Sequence, residues 1–119
     1  MRYYRRVAVT GSANQETLVQ ALQSTPEEQR HVVEVWVYES TSTRNNDAVL
    51  RVYVERERIA EMSIKVALDL ASTPTYPLGA LRIPLDVTLD TGESLYVGHV
   101  SGGTASITDW VIVYEVVGR

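Results

Sequence analysis

Between residues 80 and 97 the chain reads ALRIPLDVTLDTGESLYV. Leu81, Ile83, Leu85, Val87 and Leu89 alternate with Arg82, Pro84, Asp86 and Thr88. A period of two sends these sets to opposite faces of a strand, one apolar and one mostly polar. The Asp90-Thr91-Gly92-Glu93 run that follows has turn chemistry, because Gly accepts positive φ and Asp can bond its own backbone. Ser94 to Val97 then begins a returning strand, so the stretch predicts a one-sided hairpin facing solvent.

Other segments repeat the strand signal with a difference. HVVEVWVYE at 31–39 puts Val33, Val35 and Val37 on one face, and Val32, Glu34, Trp36 and Tyr38 on the other. DWVIVYEVV at 109–117 sets Trp110, Ile112, Tyr114 and Val116 against Val111, Val113 and Val117. Strands that are apolar on both faces belong inside a layered structure or at a subunit contact. At 48–55, Leu50, Val52 and Val54 point inward while Arg51, Tyr53 and Glu55 point out, and pairing with 31–39 across the polar loop at 40–47 follows. Residues 17–22 form a strand followed by a turn, and residues 59–70 resume alternation. The segment 72–79 is a turn-rich connection. About seven or eight short strands and no long helix predict an all-β fold, a single antiparallel β-sandwich of jelly-roll type.

The length of 119 residues suits one domain spanning 1–119. Such a chain buries roughly 65% of its unfolded surface, enough for one sandwich core. Cysteine is absent, which removes disulfides and thiolate metal sites. A net charge of −4 argues against a nucleic-acid partner. No apolar run reaches the roughly 20 residues of a spanning helix, so no membrane partner is expected. The basic start, MRYYRRVAVTG, lacks the apolar stretch of a signal peptide.

Chemistry is harder to find. His31 and His99 are the only histidines, and neither sits in a paired metal-ligand motif. No serine lies in a G-x-S-x-G elbow, and Ser101-Gly102-Gly103 reads as a hairpin loop rather than a phosphate cradle. Asp86, Asp90 and Glu93 read as turn-forming acids, in no spacing known for calcium. No catalytic residue, cofactor or metal is expected, and the chain is not expected to be an enzyme.

Aromatic and arginine residues are the better candidates, since Tyr, Trp and Arg are enriched at interfaces. Arg2, Tyr3, Tyr4, Arg5 and Arg6 form a basic aromatic stretch, with 1–6 a possible N-terminal arm. Trp36, Tyr38 and Tyr53 share a sheet face if their strands pair. Arg56 and Arg58 fall on the core side if the register of 48–55 continues, so the strand bends there or the pair sits at a rim. Across a subunit boundary they would meet acids. Trp110 completes the set of interface candidates.

The order of features from residue 31 onward resembles the small jelly-roll structural proteins of bacteriophage particles. The matching stretches are VVEVWVYES, AVLRVYVER, LRIPLDVTLDTGESLYVG and DWVIVYEVV, about three quarters of the chain. The resemblance implies a non-enzymatic virion protein: capsid decoration, cement, or a spike or tail component. It also implies a capsid lattice as partner and a closed homo-oligomer, a trimer being favoured. The alternative is a carbohydrate- or receptor-binding module that uses the aromatic row as a platform.

Overall fold

A computed structural model describes residues 1–39, 48–63, 81–103 and 107–117. The expectations for residues 40–47, for the alternation beyond residue 63 and for the connection at 72–79 lie outside the described residues. The described residues form eight strands: β1 (Arg2–Thr10), β2 (Glu16–Gln23), β3 (Arg30–Glu39), β4 (Val49–Val54), β5 (Glu57–Ser63), β6 (Leu81–Leu89), β7 (Ser94–Val100) and β8 (Ile107–Val116).

The strands form two four-stranded antiparallel sheets, in the orders β1-β8-β3-β6 and β2-β7-β4-β5. Consecutive strands change sheet at every step except β4 to β5, which is the jelly-roll winding. The fold class expected from the strand pattern is the one found. The two strands apolar on both faces, β3 and β8, are interior strands of one sheet.

The core lies between the sheets. Val9, Val32, Val35, Val37, Trp110 and Ile112 meet Leu22, Leu50, Val52, Leu95 and Val97, all buried. A buried polar link crosses this layer. The His99 ring, on β7, lies with Nδ1 3.0 Å from Thr108 Oγ1 on β8, and the Trp110 indole N–H donates to the same hydroxyl at 2.9 Å. All three residues are buried.

Several pairings differ from the sequence reading. The 80–97 stretch is not a hairpin: β6 and β7 belong to opposite sheets, and the turn between them crosses the sandwich. Gly92 takes φ 86°, and Glu93 N–H donates to the Asp90 carbonyl at 2.9 Å. The buried Ser24 holds the crossing in place. Its hydroxyl donates to Leu89 O at 2.9 Å and accepts from Arg30 N–H at 3.0 Å, while its backbone exchanges bonds with Gly92 and Glu93. The loop at 101–103 likewise leads from one sheet to the other rather than closing a hairpin.

Strands β3 and β4 also lie in different sheets, so 31–39 and 48–54 do not pair. Against β8 the ladder slips between Val32 and Glu34, leaving Val33 as an extra residue, and against β6 Leu85 and Asp86 together face Val33. The slip is a β-bulge, and it turns Val32 instead of Val33 toward the core. Opposite it on β6, Asp86 adopts φ 53°, a left-handed conformation that costs a non-glycine residue about 1 kcal/mol.

Candidate functional site

The outer face of the β1-β8-β3-β6 sheet gathers most of the sequence-derived candidates. Alternation along β1 puts Arg2, Tyr4 and Arg6 on this face, while register pairs Tyr4 with Val113 and Arg6 with Val111. Trp36 of β3 lies opposite Val111 on one side and Arg82 of β6 on the other. The result is one continuous patch across four strands.

Trp36 is its centre. Its ring is 5.6 Å from the Tyr4 ring at an interplanar angle of 53°, and the Arg82 guanidinium sits 4.7 Å from the indole centroid. A cation placed there is attracted by the negative face of the ring. The indole N–H donates to the Glu34 carboxylate. Beneath this cover Val113 is 1% exposed although it is on the outer side of the sheet. The rim is ionic: Arg6 Nη2 reaches Asp109 Oδ1 at 2.7 Å, and Arg2 Nε lies 3.7 Å from Glu115. Tyr4 remains 59% exposed, and Arg82 makes no ion pair with any described residue.

His31 continues the face toward its far end. Its Nε2 is 2.7 Å from Asp86 Oδ1 and its Nδ1 2.8 Å from Thr88 Oγ1, which ties the start of β3 to the bulged part of β6.

The remaining candidates fall elsewhere. Residues 2–6 are the first half of β1, paired with β8 over its whole length, so they are a strand of the domain rather than a free arm. Tyr3 and Arg5 point away from the outer patch. The Tyr3 ring stacks on Tyr114 at 5.3 Å, and Arg30 covers the same Tyr114 at 5.5 Å. Tyr38 pairs with Asp109 in the ladder, and its side chain is not among those described. Trp110 is fully buried and holds up the core, so it cannot meet a partner.

Tyr53 is on the other sheet and does not share a face with Trp36. There it belongs to a charged lattice with Glu16, Arg51, Arg58 and Glu61. Arg51 donates to Glu16 at 2.8 Å and to Glu61 at 2.9 Å. The Arg51 hydrogen bond draws the Glu16 carboxyl below its ordinary value near 4.5, and Glu16 in turn raises Arg51. Arg56 and Arg58 escape the core because the chain turns at 55–56, Glu55 taking φ 55°. Arg58 finds its acid within the chain, Glu61 at 2.8 Å, rather than across a boundary.

Arg82 and Glu34 are the residues of the patch that sequence reading missed. Both stood in plain view as polar members of alternating strands, and only the register shows that they flank one indole.

The patch can bury apolar and aromatic surface against a second macromolecule and offers a guanidinium at its edge. Among the described residues no group of three or more His, Asp and Glu is arranged to hold a metal ion.

No known family model matches the chain, and no curated protein matches it. Among solved structures it is similar to a chain of the acidic stable capsid structure of Helicobacter pylori bacteriophage KHP30, with a TM-score of 0.66 and 9% identity over 98% of this chain and 91% of that one. A looser likeness, TM-score 0.42 at 12% identity, joins it to the nucleoplasmin-like N-terminal domain of Drosophila FKBP39, over 100% of this chain and 95% of that one. At such identity the likeness to the capsid chain is one of fold, and it extends over nearly the whole of both chains.

Proposed function

We propose that the protein is a non-enzymatic structural component of a phage particle, which decorates or cements the capsid by docking the Trp36 face on a neighbouring subunit. The observation that carries this reading is the Tyr4-Trp36-Arg82 patch on the outer face of a jelly roll. The fold likeness to a phage capsid chain supports it.

Capsid docking would act by mass action, because a surface that binds only the assembled state stabilises that state. The partner surface that suits the patch is apolar at its centre and acidic at its edge, so that a carboxylate meets Arg82. A desolvated Trp flanked by a second aromatic and an Arg has the composition of an interface hot spot. Neither nucleic acid nor a membrane enters this mechanism, and the protein resides on the virion. A closed homo-oligomer, a trimer foremost, would present several copies of the patch to the lattice at once.

The sugar-platform alternative requires an open indole face. Arg82 occupies one face of Trp36 and Tyr4 leans on it at 53°, which leaves little flat surface for a pyranose ring.

Co-sedimentation with purified particles tests the proposal. Trp36→Ala should weaken particle binding roughly 30-fold or more, a loss of about 2 kcal/mol. Arg82→Glu should do the same by charge, and both variants should still fold, each showing a single cooperative thermal transition. Undiminished binding of both folded variants would overturn the docking face. Retained sugar binding on a glycan array, lost in Trp36→Ala, would favour the alternative.

A further inference from the structure

The two lateral edges of the sandwich carry opposite charge. At one edge a cleft of about 280 Å³ opens between β1 and β2, lined by Arg5, Gln20, Gln23, Thr25 and Arg30. Its cations are Arg5, which makes no ion pair with a described residue, and Arg30, which is bonded to Glu28 at 3.1 Å and to the Gln23 carbonyl at 2.9 Å. The Arg30 Nε is buried without a hydrogen-bond partner. Glu28, half exposed, is the one acid among the described residues that pairs with these cations. At the opposite edge a larger hollow of about 660 Å³ is lined by Val54, Ile59 and Val87, with Glu55, Glu57 and Glu93 around Arg56. The tight turn at 55–56 presents Glu55 and Glu57 outward on either side of Arg56, all three exposed.

We propose that the cleft at the β1/β2 edge receives the acidic β4–β5 turn of a second copy of this chain, so that copies join head to tail. Charge complementarity selects the occupant. The cleft offers guanidinium and carboxamide donors with a single neighbouring acid among the described residues, and the turn offers the carboxylates of Glu55 and Glu57 against the Arg56 guanidinium, with Glu93 of the β6–β7 turn on the same hollow. A contact that uses two different patches is heterologous, and it closes into a ring when the rotation between copies allows. The proposed oligomer then has a physical contact, and this inference rests on that reading of self-association. The Trp36 face remains free to dock elsewhere, because Tyr4, Trp36 and Arg82 line neither the cleft nor the hollow.

Light scattering across a range of concentrations tests the contact. The wild type should rise above the monomer mass of 13.3 kDa. Arg5→Glu and Glu57→Arg should each fall back to the monomer, with association weakened at least tenfold. The double variant should recover the oligomer, since the exchanged charges again meet. A wild type that stays monomeric, single variants that still assemble, or a double variant that folds with a native thermal midpoint but does not recover, would each overturn the contact. Particle co-sedimentation of the monomeric single variants separates the two claims. Binding retained there keeps the docking face while the edge contact is judged by mass alone.

Discussion

Thr108 Oγ1 stands between two buried rings, one from each sheet. It accepts the Trp110 indole N–H and lies within bonding distance of His99 Nδ1. Valine has nearly the same shape but no hydroxyl, so Thr108→Val strips both rings of this partner without opening a cavity. A buried polar group deprived of its bond costs about 1–3 kcal/mol, and two such groups place the loss at roughly 2–4 kcal/mol. Urea denaturation should show it as a lower midpoint with an unchanged slope. The same scale explains why Trp110 misled the sequence reading. An aromatic residue on a strand apolar on both faces has the same signature whether its ring faces the core or a partner. Only the neighbours in the ladder decide, and here they are Val7 and Val37. Trp36, on the other interior strand, took the opposite fate because its neighbours Val35 and Val37 face the core and alternation turns it outward.

Among elements, the charged outer face of the β2-β7-β4-β5 sheet gives a pH prediction. Glu16 is held below its ordinary carboxyl value chiefly by its hydrogen bond from Arg51. A depressed folded value means stability that is present above pH 4.5 and is lost as the pH falls through the folded value. Glu16→Gln should therefore cost roughly 0.5 kcal/mol at pH 7, discounted for solvent screening, and nothing in strong acid. Thermal midpoints of the two proteins measured from pH 7 down to pH 3 should converge; parallel curves would refute it. At the crossing from β6 to β7, Ser24→Ala would leave the Leu89 carbonyl and the Arg30 N–H without their side-chain partner. A loss of about 2–3 kcal/mol is expected from the two bonds, read by the same urea titration. Strand identity was legible at this scale, since burial of alternate side chains writes itself into composition. Partnership was not. The 90–93 turn has hairpin chemistry, yet the bonds that direct it across the sandwich come from Ser24, more than sixty residues earlier in the chain. The apolar alternation of β6 and of β4 is equally compatible with any neighbour, so pairing 31–39 with 48–55 was a local guess that the winding refused.

Over the whole molecule, the sandwich sets four surfaces apart: an aromatic outer face, a charged outer face, and two edges of opposite sign. The aromatic face and the charged lattice were half visible, as Trp, Tyr and Arg on strands. The opposed edges were invisible, because one joins Arg5 to residues 20–30 and the other joins residues 54–59 to Val87 and Glu93, across strands whose placement only the winding decides. The winding also governs how the chain comes into being. Of the eight strands, only β4 and β5 are joined to a neighbour in their own sheet, and a hairpin of that kind closes in about 1–10 μs. Every other ladder unites strands that are distant in sequence, and folds of this type take milliseconds to seconds. The strand at the centre of its sheet, between β1 and β3, is β8, the last of the eight to be synthesised. During translation β1 waits for a partner that has not yet left the ribosome, its row of N–H and C=O groups open to other chains. The arginines that crowd β1 keep that waiting edge charged, which is how natural sheets discourage premature pairing.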